Sequence, residues 1–157
     1  MPAHVKPIDL TGTYNNEAVV LTPRRDTPRE RVTLSGLRFP MAVTAKAGPI
    51  SSVRIVQRLD ELQLEFLDAK GNVALRESIT QPDHSVVLGS DEVTFADFKK
   101  GTSPELGKVS VARAFKLKLD VECRLIVEMT LNYSRTTLFV IPVSGSDRAV
   151  YSFARIP

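Results

Sequence analysis

The chain is 157 residues long, 43% hydrophobic and 25% charged, with a formal net charge of +3 and a pI near 9.2. Those values fit one domain that buries a core without staples, and they exclude a disordered chain and a helical membrane protein. The longest apolar run, Leu138 to Val143, is too short to span a bilayer as a helix, and a single cysteine, Cys123, excludes an internal disulfide. The opening MPAHVKPIDL lacks the apolar segment of a signal peptide, so the chain reads either as cytosolic or as a mature form whose export signal was replaced by Met1.

Residues 1 to 9 hold two prolines and no period, which predicts an extended lead-in to a single β domain over 10–157. Ala18 to Leu21 reads as a short strand. TPRRDTPRER follows, with Arg24, Arg25, Arg29 and Arg31 set against Asp26 and Glu30, a local net of +2, and its prolines predict an irregular loop. Val32-Thr33-Leu34 and Leu37-Arg38-Phe39 around Gly36 predict a kinked strand. Pro40 and Gly48-Pro49 bracket a segment without a clear type.

The most regular stretch is Val53 to Thr80. Val53 and Ile55 alternate with Arg54 and Val56, then Leu62, Leu64 and Phe66 alternate with Gln63, Glu65 and Leu67. Asp68-Ala69-Lys70-Gly71-Asn72 then supplies turn formers before Val73 and Leu75 resume the period, so three consecutive strands form an antiparallel meander. Two short apolar runs, Ser85 to Leu88 and Glu92 to Phe95, hinge at Gly89-Ser90-Asp91. Ala96 to Lys108 loses its alternation and predicts a long loop, with a helical turn near Ser103 to Leu106.

Val109, Val111, Phe115, Leu117 and Leu119 share one face of a strand whose other face is wet. The parity runs on to Tyr133, too far for one strand, so a turn is placed at Asp120 to Cys123. Thr137 to Val143 is apolar on both faces; it is either covered by other chain or an exposed partner patch. Ser144 to Asp147 reads as a turn into a last strand, Ala149 to Arg155. The fold class is therefore all-β, a single antiparallel meander of about 8–10 strands, closing into a barrel or nearly so, with a β-sandwich as the alternative.

Chemically active side chains are sparse. His4, His84 and Cys123 have no metal-ligand spacing, and Cys123 reads as a small buried hydrophobe rather than the partner of His84 in a nucleophilic pair. Asp91, Glu92 and Asp97 read as solvated turn residues, and no phosphate-cradling or nucleophile-elbow motif is present. The expectation is no enzyme, no cofactor and no metal. The arginine loop has no aromatics to stack bases, so nucleic acid is not the expected partner. Arg113 interrupts an apolar face, where a guanidinium is costly unless paired. Either a bulge turns it outward or it anchors an acidic group at a barrel mouth.

Asp9-Leu10-Thr11-Gly12-Thr13-Tyr14 with Asn16, the strand and turn from Leu64 to Gly71, Leu125-Ile126-Val127-Glu128, and the closing Tyr151-Ser152-Phe153-Ala154-Arg155 resemble small bacterial envelope lipoproteins with a lipocalin-like β-barrel. Gly12-Thr13-Tyr14 stands where lipocalins open with G-x-W. The lipobox cysteine of such proteins is not in this sequence, so a lipid anchor implies a precursor trimmed ahead of Pro2.

The resemblance implies a periplasmic or outer-membrane binding protein, some of whose relatives are immunity proteins. The leading expectation is a non-enzymatic module that occludes a protein partner, acidic in character, through Arg24, Arg25, Arg29 and Arg31 and through Phe98, Lys99 and Lys100. Charge reversal at Arg24 and Arg25 is then expected to weaken binding without lowering thermal stability. The alternative is a carrier of a small apolar ligand, lined by Phe66, Arg113, Phe115 and Val127.

Overall fold

In the computed structural model, which describes residues 6–25, 31–103, 107–136 and 142–157, the alternating segments become strands that pair only antiparallel. Strands β1 (Gly12–Asn15) and β2 (Val19–Thr22) are followed by two helices, α1 (Leu34–Arg38) and α2 (Met41–Ala47). The meander follows as β3 (Ser52–Gln57), β4 (Glu61–Leu67) and β5 (Val73–Thr80). A four-residue helix, α3 (Gln81–His84), then leads to β6 (Val87–Leu88). Four long strands complete the molecule, β7 (Val93–Ser103), β8 (Gly107–Leu119), β9 (Leu125–Thr136) and β10 (Pro142–Phe153), before the short β11 (Arg155–Ile156).

The strands form two sheets, ordered β11-β1-β3-β4-β5 and β2-β10-β9-β8-β7-β6. β1 leads into β2, and β10 runs through Ala154 into β11, so both strand pairs pass from one sheet to the other. The Ala154 carbonyl accepts from Asn15 N at 2.8 Å at that corner. On the opposite side no ladder joins β5 to β6, so the described strands do not close into a barrel. Apolar side chains from both sheets, among them Val53, Ile55 and Phe66 from one and Phe115, Val127 and Phe153 from the other, belong to a common buried cluster. The lead-in is stitched to its floor: Gln57 accepts from Leu10 N at 2.9 Å and donates to the Ile8 carbonyl at 2.6 Å, while Ile8 N reaches Gly89 O at 2.9 Å.

Several sequence expectations change. Leu34 to Arg38 is a helical turn rather than a kinked strand, because the Thr33 hydroxyl caps it by accepting from Gly36 N at 3.1 Å, and Leu34, Ser35 and Leu37 are buried together. Ala96 to Ser103 and Gly107-Lys108 continue β7 and β8 in unbroken register, where a loop over Ala96 to Lys108 was expected; of the helical turn expected near Ser103 to Leu106, Ser103 is strand and 104–106 lie outside the described residues. Ser144 to Asp147 is ladder rather than turn, paired with Ser134 to Leu131. Residues 137–141, with the apolar run from Leu138, lie outside the described set. The turn at Asp120 to Cys123 is present without glycine, since the Asp120 carboxylate accepts from both Glu122 N and Arg124 N at 2.9 Å. Cys123 is exposed on it, not buried, with a left-handed φ of 60°.

Candidate functional site

The register of the long strands sets one row of inward-facing residues side by side: Asp97 on β7, Arg113 on β8, Leu131 on β9 and Asp147 on β10. Arg113 thus stays on the inner face without a bulge. Its guanidinium is paired as burial demands, with NH2 donating to Asp97 Oδ2 at 3.1 Å and NH1 to the Leu37 carbonyl at 2.9 Å. The acid it anchors is internal.

A second guanidinium descends on the row from α1. Asn16 fixes that helix by accepting from Ser35 N at 2.9 Å and donating to Ser35 Oγ at 3.0 Å. This places Arg38 over the rings of Phe95 and Phe115, 4.9 and 5.0 Å from their centroids. Arg38 Nε donates to Glu77 Oε1 at 2.9 Å and NH1 to Asp97 Oδ2 at 2.6 Å, while NH2 reaches both carboxylates. Only 4% of its side chain is exposed, so the fork is committed to its two acids. Because Glu77 belongs to β5 and Asp97 to β7, Arg38 bridges the two sheets on the side where no ladder runs. His84 on α3 adds to the cluster, its Nε2 3.8 Å from Asp97 Oδ1 and its Nδ1 accepting from Thr80 N at 3.3 Å.

Burial pushes the Asp97 carboxyl upward, but the hydrogen bond from Arg38 and the charges of Arg38 and Arg113 outweigh it and hold it below the usual carboxylate range. Asp97 is therefore not a solvated turn acid. Burial also draws Arg113 downward, opposed by Asp97 and reinforced by Arg38. In Arg38 the paired carboxylates overcome burial and raise it. Among the described residues no group of three or more His, Cys, Asp or Glu is arranged to hold a metal.

Above the row, between the α1–α2 segment and the second sheet, lies a groove of about 500 Å³. Four arginines line it, Arg24, Arg31, Arg38 and Arg113, and among the described residues no carboxylate does. Their acids stand behind the wall. Arg31 is held by Glu17 through two bonds of 2.7 and 2.9 Å, and Arg38 by Glu77 and Asp97. Arg24 is different: its Nε is buried and has no hydrogen-bond partner among the described residues, with Asp147 Oδ2 3.8 Å away. Among the described residues Arg113 uses two of its five N–H groups. Apolar side chains complete the lining, with Met129 and Leu131 as floor and Leu37, Phe39 and Met41 as roof.

The arginine loop is less available than its sequence suggests. Arg25 N donates to Asp147 Oδ2 at 3.2 Å and Arg25 NH2 to the Ser146 carbonyl at 2.6 Å, which ties the loop to β10. Arg29 lies outside the described residues. Phe98, Lys99 and Lys100 sit on β7 opposite Ala112, Val111 and Ser110. Of the residues expected to line an internal ligand, Phe66, Phe115 and Val127 are 0%, 2% and 1% exposed and pack as core, whereas Arg113 opens on the groove. Sequence reasoning missed Arg38, whose only signal was a cation between Leu37 and Phe39. Cys123 lies beyond the end of β8, six residues or about 20 Å along the strand from Arg113, far from His84. Comparison of the chain with known protein families, with curated proteins and with solved structures returned no match.

Proposed function

We propose that the protein is a non-enzymatic binding module whose groove receives an anionic group, with the two sheets acting as a barrel opened along one seam. The observation that carries this reading is that, among the described residues, four arginines and no carboxylate line the groove and the buried Arg24 Nε lacks a hydrogen-bond partner. A cleft lined by guanidiniums offers N–H donors to an anion between apolar walls, and an unmatched buried donor favours the ligand that satisfies it. Absence of catalysis is part of the proposal. Both Asp97 oxygens already accept from guanidiniums, and His84 Nδ1 is engaged by the backbone, so neither group is set up as a general base.

The test is titration with sodium acetate, followed by NMR at the arginine side-chain Nε–H resonances. Saturable shifts at Arg24 and Arg113, lost in Arg24→Gln, are expected, with sodium chloride at equal ionic strength as control. Resonances that do not move reject the reading. Charge reversal of Arg24 and Arg25 is the wrong tool here, because it sets new acids against Asp147.

A second reading, in which the module occludes a protein partner, is favoured by the long strands. β6 covers β7 only at Val93 and Thr94, leaving the edge of β7 from Phe95 to Ser103 without a ladder partner among the described strands. Such an edge accepts an added strand. Capture of a partner that is lost when proline replaces residues on that edge would favour it.

A further inference from the structure

Resting on that reading of the groove, the geometry points to a particular ligand class: a single-chain amphiphile, its oxyacid head held over Leu131 between Arg24 and Arg113 and its alkyl tail laid beneath α2.

The head position follows from the inner row. Arg113 and Asp147 flank Leu131 on adjacent strands, about 10 Å apart across β9 at the usual strand spacing, and Arg24 lies against Asp147. The two guanidiniums with donors to give therefore stand on either side of one apolar side chain. An oxyanion placed above Leu131 would sit between them, drawing a remaining N–H from each. Arg38 and Arg31 are closed to it as principal ligands, since each is already forked onto carboxylates.

The tail position follows from α2. None of its seven residues is buried, its N-cap Pro40 makes no side-chain cap bond, and the chain leaves it through Gly48 at φ 85°. Met41 lines the groove yet is 86% exposed, and the helix contributes Val43 at 38% as well. An apolar side chain at a cleft mouth with nothing against it matches an apolar ligand segment, and Met adapts readily to such surfaces. Phe39 and Met129 extend the same apolar path inward. At roughly 30 Å³ per non-hydrogen atom, as in liquid water, a groove of about 500 Å³ holds on the order of 16 such atoms, which accommodates a ten-carbon chain with its head.

The experiment compares acetate, decanoate and decyl phosphate by isothermal calorimetry and by the Arg24 Nε–H resonance. Each buried methylene tightens binding about fourfold, so burial of even part of the chain predicts roughly a hundredfold gain over acetate. Met41→Asn, at an exposed position, is expected to cut the gain of decanoate over acetate several-fold, and an undiminished gain would overturn the placing of the tail. Preference for decanoate or for decyl phosphate distinguishes a carboxylate head from a phosphate head, and either supports the proposal. If acetate shifts Arg24 but neither long-chain acid binds more tightly, the amphiphile is overturned while anion binding stands. If no anion perturbs Arg24, both fall together.

Discussion

Asp97 receives two guanidiniums and faces an imidazole, and the balance of those contacts governs how the fold meets acid. Its folded pKa is depressed, so its contribution to stability is fully present above the unfolded value near 3.9 and is lost as pH falls through the lower folded value. Stability measured by urea denaturation is therefore expected to be level from neutral pH to about 5 and to fall below about 4. Asp97→Asn is expected to lose about 3–5 kcal/mol at neutral pH, because Arg38 and Arg113 are left short of a buried counter-charge, and to show a shallower acid decline. Profiles that stay parallel to the acid limit would contradict this assignment. Some decline remains in the variant, since the hydrogen bonds from Arg54 and Arg76 lower Glu65, and that from Arg148 lowers Glu128. Arg113 announced this cluster in the sequence by breaking an apolar face. Arg38 and Asp97 did not, because each sat in a segment whose type was misread.

The elements differ in how plainly their residues specify them. β3, β4 and β5 were legible from alternation, and both tight turns after β4 and β8 are built by an aspartate that accepts two backbone amides, Asp68 in one and Asp120 in the other. The helices were harder. α1 is a five-residue turn with Gly36 inside it, so its propensity is poor and burial of Leu34 and Leu37 holds it. Its surviving signature is Thr33 ahead of Leu34 and Leu37 at helical spacing. α2 offered more, with Ala42, Ala45 and Ala47, Lys46 in the last turn and Gly48 beyond, between two prolines. Val109 to Leu119 and the parity on to Tyr133 were read as strand, but the far ends of the β7 to β10 ladder were missed because glycines and serines dilute the period there.

One of those glycines has a specific reason: a β-carbon at Gly145 would collide with the ring of Tyr133, its cross-strand neighbour. Gly145→Val is expected to cost about 1–3 kcal/mol in thermal denaturation. Adding Tyr133→Ala should recover much of that loss, and additive effects of the two changes would show that the ring is not the obstacle.

At the scale of the whole molecule, the two sheets share a corner of hydrogen-bonded strands on one side and an ionic bridge on the other. Arg38 is the crosspiece of that open side, and α3 carries the chain across it. Along β5 every second amide points to β4 and the others point away from it. Native-state hydrogen exchange is therefore expected to alternate along Val73–Thr80, while β4, laddered on both edges, is protected throughout. Uniform protection of β5 would mean that the seam is laddered shut. The all-β class and the antiparallel order were readable from periodicity. Closure was not, since hydrophobic alternation is the same in a sheet that closes and in one that stops short.

The turn that follows β8 places the chain's single thiol in solvent, at the end of the molecule away from the groove. A maleimide dye or a gold surface would therefore take hold of this protein at one point and in one orientation. Attached in that way, it turns its arginine-lined groove away from the point of attachment, without any engineered tag.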